Sequence, residues 1–319
     1  MARLWRLRAA GRVTGCWAAI CLAACGAAAQ PPAPTPDKPQ VIRSEHLAVY
    51  YERWTERPSA RDASRIGEAR LPEIARDLGY TPDRPIVIAV YRDRRDFLDQ
   101  AGVSGSGPIG VVRYPGNIIY LDVSGTRLRL ARVVPHEMTH VIVMRVLGPE
   151  HMGKLPRWFN EGLAEHESRV WSSMEEAALG RLLRSKQTVP LGRLSEAFQG
   201  PDDTIGDAYL QAWSVVRFLA DRQGDDIGRR ILTALKRQPD FESALAAETG
   251  LDLAGVDRAW HASARAAVRE PHTALAWGLV AAKVLGAAAA VALFARIWLA
   301  LRRRAADEDD ITVSEERQE

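Results

Sequence analysis

The segment His136-Glu137-Met138-Thr139-His140 and, beyond it, Asn160-Glu161-Gly162-Leu163-Ala164-Glu165 constrain this chain more than any other stretch. On a helix, His136 and His140 stand one turn apart along the axis and roughly 40° apart around it. Both imidazoles then reach one metal ion, and Glu137 faces a water bound to that ion. Twenty residues lie between His140 and Glu161. That length is enough to end the first helix, turn, and start an antiparallel partner carrying a third donor. Two neutral histidine nitrogens and one carboxylate leave the fourth zinc position open, which predicts a catalytic site rather than a closed structural one.

Spacing also tests the other donor sets. An HExxHxxGxxH pattern needs Gly at position 143 and His at position 146, and the chain has Val143 and Val146 there. His151 falls beyond the expected helix end at Gly148-Pro149, so it reads as a loop histidine. His166 follows Glu161 by five residues, roughly 140° around a helix, so the two cannot face one ion. Glu161 remains the best third ligand. Glu165, one turn after it, is placed to accept the outer N–H of a ligand histidine. A plainer alternative is an amphipathic helix with two surface histidines. The apolar flanks Val133, Val134, Val141, Ile142 and Val143 argue against it, because they predict a buried helix. The residues therefore point to a zinc hydrolase.

HEMTH followed by RWFNEGLAE resembles the gluzincin metallopeptidases, the group that includes thermolysin and the aminopeptidase-N type. It is most similar to their peptidase-MA-like bacterial branch. The resemblance extends over about residues 41–265, and these two motifs are its specific part. It implies His136, His140 and Glu161 as ligands of one zinc ion per chain, with Glu137 as general base. It implies peptide or protein substrates, cut by a zinc-activated water. The GAMEN signature that holds a free amino end in aminopeptidases is absent before HEMTH, so the implied activity is that of an endopeptidase. In such enzymes an edge strand just before the metal helix binds extended peptide by backbone pairing. Residues 117–121 would be that strand, with Asn117 and Ile119 touching substrate; an ordinary core hairpin is the alternative. Tyr209 would aim its hydroxyl at the developing oxyanion, as tyrosines do in several gluzincins, or else serve as a core tyrosine.

Both ends of the chain read as membrane signals. Arg3, Arg6, Arg8 and Arg12 precede an apolar run from Val13 to Cys25, which together make an export leader over residues 1–29. It is cleaved after Ala27-Ala28-Ala29, lipidated at Cys25 within a lipobox-like Leu22-Ala23-Ala24-Cys25, or retained as an anchor. All three cysteines lie inside it, so the exported body has no disulfide. Residues 275–301 are almost wholly apolar, broken by Lys283 and Arg296 and bracketed by Trp277 and Trp298. They are long enough for a transmembrane helix across ~30 Å of hydrocarbon; a buried Ala-rich helix is the alternative. Arg302-Arg303-Arg304 then put the charged tail, 302–319, in the cytoplasm and the body outside it. The expected location is a bacterial cell membrane, crossed once. Net charge is only +3, and no basic run interleaves aromatics, so nothing favours nucleic acid as a partner.

Between the ends, five prolines mark residues 30–40 as a linker. Residues 41–51 are rich in strand formers, and 60–78 carry helical spacing that stops at Gly79. Pro85 to Tyr91 is a nearly continuous apolar run, hence a buried strand. Residues 109–113 and 117–123 read as a hairpin. Pro135 means that the metal helix either starts there or bends there. A helix carries Glu161 on to about residue 170, and 173–186, 191–198, 207–222, 227–237, 241–250 and 253–268 follow as further helices. The expected architecture over residues 41–270 is α+β, thermolysin-like: a small sheet with helices, then a helical lobe, with zinc between them. Two rival readings share these features, a peptidase fold that binds without turnover and a tether between envelope layers. An intact Glu137 argues against the first.

Overall fold

Residues Ile86–Tyr91 (β3) show how the sheet is built. Ile86, Ile88 and Val90 point into one apolar core, while Ala89 and Tyr91 point into another on the opposite face. A strand covered on both sides needs apolar residues at every position, which is why this run does not alternate. The computed structural model describes residues 39–269 except 105–107, 115, 126–128, 169–171 and 201. The leader with Cys25, most of the 30–40 linker, the 275–301 segment and the 302–319 tail lie outside the described residues. Among the described residues, no helix is long and apolar enough to cross a membrane.

Five strands form one sheet in the order β1-β2-β3-β5-β4. The outer pair is Gln40–Arg43 (β1) and Leu47–Tyr51 (β2), antiparallel, with Val41 opposite Tyr50. Residues 41–51 are therefore not the single strand that their composition predicts. The polar Ser44-Glu45-His46 turn folds them back, with the Ser44 N–H donating to the Leu47 carbonyl at 3.0 Å. β2 runs parallel to β3, and β3 runs parallel to Ile118–Asp122 (β5). Gly110–Arg113 (β4) closes the far side, antiparallel to β5. The first helix, Arg57–Leu78 (α1), connects β2 to β3 and ends where Gly79 takes up a left-handed φ of 68°. Arg94–Ala101 (α2) packs under the opposite face, with Phe97 fully buried.

This order corrects the expected substrate strand. β5, which carries Ile119, lies inside the sheet, paired to Ile88 on one side and Val112 on the other. Its backbone donors and acceptors are already used, and Ile119 is fully buried in the core. Asn117 sits in the β4–β5 turn at a left-handed φ of 51° rather than on an edge. Among the described residues, the free edge on that side of the sheet is β4.

Leu130–Leu147 (α3) follows β5. It begins more than a turn before Pro135, which sits inside the helix. Proline has no N–H for the Ala131 carbonyl, while the Thr139 hydroxyl donates back to the Pro135 carbonyl at 2.9 Å. Buried residues occupy every side of α3, as expected for a helix enclosed by neighbours. It packs on α1 and the sheet on one side and on the helical lobe on the other. The lobe contains Pro149–Met152 (α4), Arg157–Ser168 (α5), Ser173–Ser185 (α6), Leu191–Ala197 (α7) and Asp202–Gln223 (α8). Ile227–Leu235 (α9), Phe241–Thr249 (α10) and Leu253–Arg269 (α11) complete it. Trp158, Phe159 and Phe241 pack ring against ring, with centroids 5.0–5.7 Å apart.

α5 and α8 approach closely at Gly162, where an added Cβ would stand 2.6 Å from the Ala212 carbonyl oxygen. Replacing Gly by Ala inside a helix normally stabilises by about 1 kcal/mol. Here overpacking against backbone outweighs that gain, and Gly162→Ala should lower stability by ~1–2 kcal/mol. Chemical denaturation that shows the variant more stable than wild type would contradict this packing.

Candidate active site

α3 supplies the first two donors. The Nε2 atoms of His136 and His140 lie 3.2 Å apart, their rings nearly perpendicular at 74°. α5 brings Glu161 across from the lobe, its Oε2 at 3.5 Å from His136 Nε2 and 3.4 Å from His140 Nε2. One donor atom from each of the three lies within 4.8 Å of the others, and all three residues are buried. Among the described residues this is the one such cluster.

Each histidine is held from behind. Glu165 Oε1 stands 3.4 Å from His136 Nδ1, and Asn160 Oδ1 stands 3.2 Å from His140 Nδ1. Both oxygens are placed to accept the Nδ1–H, which leaves Nε2 as the free lone pair facing the centre. Among the described residues, neither oxygen of Glu161 has a hydrogen-bond partner, although the Arg157 Nε lies 3.5 Å from Oε1. A fully buried carboxylate without hydrogen bonds is expensive, and a metal ion coordinated by Oε2 removes that cost. Two imidazole nitrogens and one carboxylate oxygen are the donor set of a catalytic zinc ion, so the residues fit that group.

The charges agree with the geometry. Burial alone would pull the His136 pKa down, but the close approach of Glu161 and Glu165 and the charges of Glu165 and Glu137 push it up to about 10. Burial opposes ionisation of Glu161, yet the neighbouring His140 and His136 hold its pKa down at about 2. A metal ion bound there would displace that proton, because a ligand imidazole must be neutral.

Glu137 faces elsewhere. It is fully buried, and neither of its oxygens has a hydrogen-bond partner among the described residues. Gly110 on the edge strand makes room for it, since a Cβ there would overlap Glu137 Oε1 and fall 2.7 Å from Val133. Burial pushes the Glu137 pKa up to about 7; the two histidines pull it down, and Glu161 and Glu165 add to the rise. A base poised near neutrality suits proton transfer at neutral pH.

A family profile described as Peptidase MA superfamily matches residues 67–266, from the middle of α1 into α11. The chain belongs to the peptidase MA superfamily. A search of curated proteins finds no match. Among solved structures, a mutant M1 zinc metallopeptidase from Deinococcus radiodurans aligns with 12% identity and a TM-score of 0.38. The alignment covers 70% of this chain and 51% of that one, so this chain spans about half of that protein's length.

In this peptidase MA member, Tyr209 is fully buried on α8. Its ring centre lies 6.5 Å from that of His136 and 5.0 Å from that of Phe198. His166, one residue past Glu165, is outside the donor cluster. Four neighbours of the site were not legible as such. Asn160 is in the motif, but its part as the His140 acceptor depends on the pitch of α5. Gly110 matters only because β4 passes beside α3. Tyr114, in the β4–β5 turn, donates to the His140 carbonyl at 3.4 Å, and burial, then Glu137 and Glu161, pushes its pKa up. Arg132 holds Glu165 at 2.6 Å. Its position one turn before His136 was the available signal.

Proposed function

We propose that this peptidase MA member is a zinc-dependent endopeptidase, with one zinc ion per chain held by His136, His140 and Glu161. The observation that carries the reading is the buried triangle of His136, His140 and Glu161, with an unpartnered Glu137 one residue along the same helix. Zinc, when bound, supplies Lewis acidity that polarises a peptide carbonyl and makes water nucleophilic near neutral pH.

The protein's own groups do the rest. Glu165 and Asn160 keep the imidazoles aimed. Glu137 takes the proton of the attacking water and returns it to the leaving nitrogen. Tyr209, beside His136, is the residue we assign to donate a hydrogen bond to the developing oxyanion. An extended substrate pairs along β4, the free edge next to Glu137, in place of residues 117–121. The missing GAMEN signature favours internal cleavage over removal of single residues from a free amino end. The leader over 1–29 and the 275–301 segment favour a membrane-anchored protein with this site on the extracytoplasmic side.

Incubating the full-length protein with an unfolded protein, then mapping the products by mass spectrometry, tests the reading. Internal cuts that stop with a chelator and resume with zinc are expected. A zinc-loaded protein that cuts no peptide or unfolded protein would instead support a binding role for the fold.

A further inference from the structure

We propose that Arg132 is a positioning residue for the metal site, setting the orientation of Glu165 and through it that of His136; this rests on the zinc reading above. Arg132 lies four residues before His136, one turn earlier on the same face of α3. Its guanidinium forks between two helices. Nη2 donates to Glu165 Oε2 on α5 at 2.6 Å, and Nη1 donates to Glu175 Oε1 on α6. Glu165 is buried, and its other oxygen is the one at 3.4 Å from His136 Nδ1. One carboxylate is thus shared between a cation that pins it and an imidazole that it aims.

Glu175 is fixed in turn. Its Oε2 accepts from the Ser172 backbone N–H at 2.7 Å and from the Ser172 hydroxyl at 2.9 Å, closing the capping box that starts α6. A continuous chain of polar contacts therefore runs from Ser172 through Glu175, Arg132 and Glu165 to His136. A planar guanidinium fixes the angle between the two carboxylates it bridges, which a flexible ammonium cannot do. Without Arg132, one oxygen of the buried Glu165 would lose its charged donor, and such a group turns toward other donors or solvent. His136 would then lose the acceptor that points its Nε2 inward. Removing groups that orient a ligand histidine commonly weakens metal binding by about 10–100-fold.

The test is an equilibrium zinc titration of metal-stripped, full-length wild type, Arg132→Met, Arg132→Lys and Glu175→Gln. It is read beside the visible spectrum of each protein loaded with cobalt(II). Arg132→Met should weaken zinc binding by about 10–100-fold and shift the cobalt bands, because the tilt of one imidazole changes the ligand field. Arg132→Lys should fall between it and wild type, and Glu175→Gln should lose less than about tenfold. A folded Arg132→Met with wild-type affinity overturns the proposal. So does weaker binding with an unchanged cobalt spectrum, which marks a general loss of structure. If Arg132→Met does not fold, the other two variants decide: weakened binding supports the role, and wild-type affinity in both overturns it. A wild type that binds no zinc overturns the site reading itself, and this inference with it.

Discussion

Glu137→Gln should keep its zinc and its fold while losing about 10²–10⁴-fold in turnover, the usual worth of a general base. The fold should survive because Glu137 makes no hydrogen bond that the change could break. A neutral amide is also cheaper to bury than an ionised carboxylate, so stability should stay level or rise slightly. Zinc should stay because Glu137 lies outside the donor triangle, turned toward Gly110. Turnover should fall because an amide of the same size cannot take up a proton at neutral pH. Metal analysis, thermal melting and peptide kinetics on one preparation check all three. A variant that loses zinc would make Glu137 a ligand or a ligand support. One that keeps full activity would remove it from the mechanism.

His140→Ala should do the reverse, removing the metal and the activity together. Structural zinc sites gain about 10–16 kcal/mol from four donors, so one donor is worth roughly 3 kcal/mol, or more than 10²-fold in affinity. The loss should be larger still in practice, since Asn160 and Glu161 would both be left facing a gap where the imidazole stood. His166→Ala is the matched control, one histidine removed from the neighbouring helix but outside the cluster. Zinc titration should separate the two by at least two orders of magnitude. If His166→Ala loses the metal and His140→Ala keeps it, the ligand set is wrong.

Much of this site was readable from the sequence because its geometry is local. His136 and His140 meet because a helix repeats every 3.6 residues, whatever surrounds it. Glu161 and Glu165 share a helix as well, and the length between the motifs leaves room for one reversal. The misreading of residues 117–121 has a different origin. Val111-Val112-Arg113 and Ile118-Ile119-Tyr120 form the expected hairpin, but which of its strands pairs with β3 is settled by contacts across the chain. Both strands are short and apolar, so neither advertises itself as the edge.

The turn at Ser44-Glu45-His46 escaped for a related reason, lacking the glycine or proline that usually marks one. Arg132 is the clearest case of information that a single helix cannot hold. Its spacing from His136 was visible, but its two carboxylate partners sit on α5 and α6. Charged residues one turn apart on a helix usually mean a solvated face, and only the packing of three helices makes this one a partly buried bridge.

Peptide turnover by the metal-stripped wild type, as zinc is added back in known amounts, tests the zinc peptidase assignment most directly. No cleavage is expected at the start, and activity should rise in proportion to zinc. Activity should level off at one equivalent per chain. Cleavage by the stripped protein, or a full equivalent of tightly bound zinc with no cleavage of any peptide, would contradict it.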